Sequence, residues 1–96
     1  MNTFVINKII RMDRRLSEVE VGKTVVIKHF ENDDIFLKLM EMGCVPGEKI
    51  LIDQIAPLGD PISIMVAGYT LSLRLNEAEH IWVEEISLLE VKNINN

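Results

Sequence analysis

In a chain of 96 residues, chemistry has few side chains to draw on: His29 and His80 are the two histidines and Cys44 is the one cysteine. Imidazole and thiolate are common metal ligands, bases and nucleophiles, but each role needs a partner at a defined spacing. No C-x-x-C or H-x-x-x-H pair is present; His29 falls within one strand-forming run and His80 just ahead of another. Both read as structural or surface residues. Cys44 lies in the turn Gly43-Cys44-Val45-Pro46 with no base beside it, and reads as a small apolar residue. Asp33-Asp34 stands where a helix needs capping. Glu84-Glu85 are consecutive in a strand, so they point to opposite faces and form no acid–base dyad. Met40 and Met42 end an amphipathic helix and read as core, not as soft-metal ligands. The glycines fit neither G-x-G-x-x-G nor G-x-x-x-x-G-K. The expectation is a protein that is not an enzyme and carries neither cofactor nor metal.

Contact is the chemistry that the residue types favour. Ala56-Pro57-Leu58-Gly59-Asp60-Pro61 packs two prolines and a glycine into a stiff turn-rich loop between strand-forming runs. A rigid loop on a β scaffold presents a surface. The candidate partner-binding residues are Pro57, Leu58, Gly59, Asp60 and Pro61 of this loop, Met42, Cys44 and Pro46 of the turn after the helix, and Arg74. Arg74 has two readings, an ion pair with Glu77 or Glu79 and a contact with a partner. Trp82 alternates with Ile81 and Val83, which makes it either an outward anchor or a half-buried aromatic.

The elements that must position these residues follow from periodicity. Val5, Ile9, Met12 and Leu16 recur at near-helical spacing, which predicts a short amphipathic helix or arm over residues 4–16, with Asn2 and Thr3 as caps. Thr24–Phe30 is β-branched and apolar, a strand. Asp33–Met42 has helical spacing, with Gly43 placed for a left-handed helix end and Pro46 forbidding continuation. Pro46-Gly47 is a type II turn pair leading into a strand from Glu48 to Ile55. Ile62–Val66 and Tyr69–Leu75 alternate strictly and are separated by Ala67-Gly68, a tight hairpin. Asn76–Glu79 reads as one helical turn capped by Asn76, and Ile81–Glu85 as the last strand. The fold class expected is mainly β: a small barrel of about five strands with one inserted α-helix and a short helical turn. Residues 1–15 form a basic arm or short helix, 16–86 the barrel and 87–96 a tail frayed at its end.

The charge is uneven. Lys8, Arg11, Arg14 and Arg15 against Asp13 give residues 1–15 a charge of +3, so the remainder sums to −8 within the total of −5. An acidic body is a poor phosphate binder, so no nucleic-acid partner is expected. No apolar run approaches the ~18 residues of a membrane helix, so no transmembrane segment is expected. The basic residues follow Phe4-Val5-Ile6 instead of preceding a long apolar stretch, the wrong order for a secretory signal. With one cysteine there is no internal disulfide, and the expected location is cytoplasmic. Exposed edge strands and the apolar arm leave homo-oligomer formation open.

Several segments together resemble one family. Leu16-Ser17-Glu18-Val19…Gly22, Leu39-Met40-Glu41-Met42-Gly43-Cys44-Val45-Pro46-Gly47-Glu48-Lys49-Ile50, the Ala56–Pro61 loop and Leu73-Arg74…Glu77-Ala78…Ile81-Trp82-Val83 are similar to the FeoA family of small ferrous iron transport proteins, over about residues 16–85. The resemblance implies an SH3-like barrel with a helix inserted after the first long strand. It also implies a non-enzymatic role on the FeoB-type ferrous iron transporter, at its cytoplasmic G-domain side and so peripheral to the inner membrane. Related domains in iron-dependent repressors suggest a second role in transcriptional control. A third is weak ferrous-iron binding through His29, His80, Cys44 and carboxylates. The chain departs from the family pattern at Ile35-Phe36-Leu37-Lys38, where an arginine is frequent, and at Cys44, where an aliphatic residue is commoner. Fold alone does not imply proline-rich peptide recognition, and with five aromatics, Phe4 outside the barrel segment, none is expected.

Overall fold

The computed structural model describes residues 5–91, with side chains over 9–87. The expected caps Asn2 and Thr3, and the tail residues 92–96, lie outside the described residues. The chain runs β1 (Val5–Arg15), a 3-10 turn (Leu16–Glu18), β2 (Thr24–Phe30), α1 (Asp33–Glu41), β3 (Lys49–Ile55), β4 (Ile62–Val66), β5 (Tyr69–Leu73), α2 (Leu75–Ala78) and β6 (Ile81–Val91). The strands form one antiparallel sheet of six in the order β1-β6-β2-β3-β4-β5.

The pairing differs from expectation in the arm, the tail, the number of strands and the closure of the sheet. Of the two alternatives for this segment the helix is excluded and the ordered arm is a strand: β1 pairs along its length with β6, from Val5↔Val91 to Arg15↔Trp82. Near-helical spacing lost to cross-strand pairing because the segment also carries Val5, Ile6, Ile9 and Ile10, side chains that fit a pleated surface. By the same pairing, β6 continues past Glu85, so residues 87–91 are strand and not tail. The sheet therefore has six strands where about five were expected, and it is not closed: β1 and β5 are its edges.

The body is held by the inward rows. Ile50, Ile52, Ile62, Ile64, Val66 and Leu73 are at most 2 % exposed, and Val25, Ile27, Ile81 and Val83 complete the sheet's contribution. Leu39 of α1 and Ala78 of α2 close onto the same cluster. Turn chemistry sets the register. Ala67 and Gly68 have φ of 50° and 85°, the doubly positive pattern of a type I′ hairpin, which seats Val66 against Tyr69. The Glu48 N–H donates to the Val45 carbonyl at 3.0 Å across Pro46-Gly47, with Gly47 at φ 94°. Asn32, not Asp33 or Asp34, caps α1: its Oδ1 accepts from the Ile35 N–H at 2.9 Å.

β2 leaves β6 after Val26↔Glu84, so β1 and β6 run on as a two-stranded ribbon. The Cα extents are 56 × 27 × 22 Å and the radius of gyration is 16.1 Å, against about 12.5 Å for a compact chain of this length. No helix among the described residues is long and apolar enough to cross a membrane.

Candidate functional site

The loop of residues 56–61 joins β3 to β4 beyond the Ile55↔Ile62 pair. Its base is tied by the Ala56 N–H donating to the Pro61 carbonyl at 3.1 Å, and its tip by the Gly59 N–H donating to the Ala56 carbonyl at 2.7 Å. Gly59, at φ 88°, takes the left-handed conformation that ends the turn. The Asp60–Pro61 peptide is cis. Leu58 projects from the tip 95 % exposed, the most solvent-open large apolar side chain described. Asp60 turns back instead: its Oδ1 accepts the Leu75 N–H at 3.0 Å, an orphan donor at the start of α2. Asp60 therefore ties the loop to α2, the capping role that the sequence pointed to in Asn76. Replacing Asp60 by alanine is expected to cost about 0.5–2 kcal/mol in urea unfolding. Asparagine, which keeps the accepting oxygen, should recover most of that; equal loss in both variants would show that the cap is not the cause.

The expected contact residues divide. Arg74 comes beside the loop, because Leu73 pairs with Ile62. The Met42–Gly47 turn does not. A Cβ placed at Gly43 would stand 3.5 Å from the Tyr69 hydroxyl and 3.8 Å from the Ala67 side chain, at the far end of the β4–β5 hairpin. β4 separates the two sites by its five residues, about 15 Å. Cys44 is corrected outright: it is 1 % exposed in the core, and burial, reinforced by the Glu48 charge, pushes its thiol up. It presents nothing to a partner, and the iron-binding reading loses its soft ligand. Among the described residues no group of three His, Cys, Asp or Glu is placed to hold a metal.

Arg74 forms no ion pair with Glu77 or Glu79 among the described residues. Glu77 is engaged elsewhere: Lys38 of α1 donates to its Oε2, and the Arg74 backbone N–H donates to its Oε1 at 2.9 Å. Burial raises the Glu77 carboxyl, but those donors, with the charges of Lys38 and Arg74, outweigh it and leave it below its ordinary value. Lys38, Asp60, Pro61, Ser72, Arg74 and Glu77 line a concavity of about 430 Å³. A second concavity, of about 230 Å³, shares Pro61 and is lined also by Gln54, Ala56, Pro57 and Ser63. Sequence reading missed Lys38 and Ser72. The alternation of Ser63 and Ser72 was a signal, since both had to face outward.

A second polar cluster lies on the outer face of β1, β6 and β2. A register shift between Ile27 and His29 leaves both Lys28 and His29 exposed and sets His29 opposite Trp82. The half-buried Trp82 ring stacks with His29 at 6.0 Å and an interplanar angle of 22°, and lies 4.7 Å beneath the Arg15 guanidinium. Glu31 accepts from Trp82 Nε1 at 3.0 Å and Arg15 Nη1 at 2.8 Å, and lies 3.0 Å from His80 Nδ1. Those three partners, Trp82 foremost, hold its carboxyl down from 4.5 to about 2. A carboxylate favoured in the folded state stabilises it above the unfolded value and loses that contribution as pH falls through the folded one. The unfolding midpoint should therefore drop between pH 4.5 and 2, with Glu31→Gln flattening that fall; an unchanged slope in the variant would sink the assignment. Glu84 and Glu85 do point apart: Glu84 meets Arg11 and Lys28, and Glu85 meets Arg14 and Lys23.

The family model of the FeoA domain matches residues 14–85. This chain belongs to the FeoA family. The match takes in the whole body and leaves most of the β1–β6 ribbon outside. Over 74 residues, 76 % of the chain, it is 43 % identical to the Fe(2+) transport protein A/Fe(2+) transporter FeoB fusion protein of Porphyromonas gingivalis, spanning 9 % of that protein's length. The FeoA protein of Chlorobium tepidum is 36 % identical with a TM-score of 0.71, covering 75 % of this chain and 70 % of that one. FeoA of Stenotrophomonas maltophilia, solved with zinc and described as a procaryotic SH3 domain protein, is 25 % identical with a TM-score of 0.60, covering 80 % and 94 %. The SH3-like fold expected from the sequence is thus the fold observed, with its sheet left open.

Proposed function

We propose that this FeoA-family chain is a non-enzymatic accessory of ferrous iron uptake that docks, through its β3–β4 loop, on the cytoplasmic portion of a FeoB-type transporter. The fusion carries this reading: in the Porphyromonas gingivalis protein a homologous segment is joined to FeoB in one polypeptide. Fusion replaces an association between separate chains with a local concentration in the millimolar range, which is useful only if the two parts meet. The disposition of polar groups supports a binding role. Asp60 and Glu77 act as caps, Cys44 is buried, and the exposed features of the loop are an apolar tip and the concavities beside Pro61.

The test is titration calorimetry of the full chain into the intact transporter in detergent micelles. Saturable one-to-one binding is expected, together with slowed ferrous iron uptake in cells lacking this protein. Absence of binding up to about 100 μM, weaker than about −5.5 kcal/mol, would sink the docking reading.

A further inference from the structure

We infer that the two concavities beside Pro61 form one trough for a short extended segment of the protein partner. An acidic side chain of that segment sits on the Arg74 guanidinium and a small apolar one lies over Ala56 and Pro57. The inference rests on the docking reading above and names what the surface recognises.

The trough is built by register. A shift between Ile52 and Gln54 turns Gln54 outward opposite Ser63, and Ser63 pairs with Ser72, so Gln54, Ser63 and Ser72 form one row across β3, β4 and β5. Two strand spacings make that row about 10 Å long, the span of about three extended residues. Its floor of two serines is low, Pro61 borders both concavities, and Ala56 with Pro57 lines one end and Arg74 with Lys38 the other. One end is therefore apolar and small; the other is charged.

The charged end selects a single carboxylate. Its four charged groups, Lys38, Arg74, Asp60 and Glu77, sum to zero, which disfavours a multiply charged phosphate. Three are already engaged: Asp60 with the Leu75 N–H, and Glu77 with Lys38. The Arg74 guanidinium alone has no hydrogen-bond or ion-pair partner among the described residues. A guanidinium fork matches a carboxylate with two parallel hydrogen bonds, and the Ser72 hydroxyl can donate a third. Glu77 takes up the Arg74 backbone N–H and feels the guanidinium only through its charge, so the N–H groups of the side chain are left for a partner.

Two arms test this. In the first, wild type, Arg74→Ala, Arg74→Lys and Leu58→Asp are titrated into the intact transporter at two salt concentrations. The expected result is about tenfold weaker binding and a shallower salt dependence for Arg74→Ala, with Arg74→Lys intermediate. Thermal unfolding should change little in both, since the Arg74 charge acts on Glu77 without an ion pair. If Leu58→Asp abolishes binding while Arg74→Ala stays within about twofold of wild type, the docking reading stands and the carboxylate site is overturned. In the second arm, which does not need the transporter, amide and guanidinium NMR signals of the full chain are followed during titration with N-acetyl-Ala-Ser-Asp amide, its asparagine analogue and inorganic phosphate. Shifts at Ser72 and Arg74 with the aspartate peptide alone, lost in Arg74→Ala, support the site. Equal shifts with the asparagine peptide or with phosphate, or none at millimolar peptide, overturn it even if the loop docks.

Discussion

Replacing Leu58 by aspartate is expected to weaken association with the transporter by at least about tenfold while leaving the stability of the free protein within about 0.5 kcal/mol of wild type. The two halves have one cause. Leu58 is 95 % exposed at the tip of the β3–β4 loop, so the folded chain has almost no contact there to lose. The loop's shape is held by Gly59, Asp60 and the backbone bonds of Ala56, none of which involves the Leu58 side chain. Burial of a leucine on a partner stabilises a complex by about 1.5–3 kcal/mol, which is about tenfold to a hundredfold in affinity. Aspartate removes that gain and adds the cost of desolvating a charge. Calorimetric titration gives the affinity and a thermal scan gives the stability. Unchanged affinity would remove the loop tip from the interface.

The largest expected effect on stability is at Leu39. Substitution by alanine should cost about 2–5 kcal/mol, with a midpoint lowered by about 10–30 °C. α1 has nine residues, and Leu39 is the one that is fully buried, with Ile35 partly buried beside it. A helix this short is marginal on its own and forms because one face docks. Removal of the docking side chain loosens α1 as a unit, and with it Lys38, the wall of the Arg74 concavity. The neighbouring control is Leu37→Ala: Leu37 is 53 % exposed on the same helix, and its loss should stay within about 0.5 kcal/mol. Urea unfolding of both variants decides the point. Similar costs at the two positions would mean that α1 is not anchored by its inward face.

Local chemistry carried much of the architecture in advance. The hairpin expected from Ile62–Val66 and Tyr69–Leu75, whose second strand ends at Leu73, the Pro46-Gly47 turn, and the helix stopped at Gly43 depend on alternation, proline and positive-φ glycine, all properties of neighbours in the chain. The opposite facing of Glu84 and Glu85 likewise follows from the period of a strand, and their separate salt bridges bear it out. Family resemblance was legible for the same reason: it resided in those turn and loop segments.

Pairing partners and caps were decided only in three dimensions. Residues 5–15 became strand because β6 offered a full-length neighbour, a preference that no local period encodes. Asp60 caps a helix fifteen positions away, and Glu31 gathers Arg15 from the end of β1 with His80 and Trp82 from around the start of β6. The candidate site divided likewise. By itself the sequence determined that the Ala56–Pro61 loop is stiff and turn-rich. Only the tertiary structure moved the Met42–Gly47 turn to the far end of β4, buried Cys44, and brought Arg74 and Lys38 to the loop instead. The physical reason is that stiffness is a property of consecutive residues, whereas a binding surface is made by side chains whose distance is set by sheet register and helix docking.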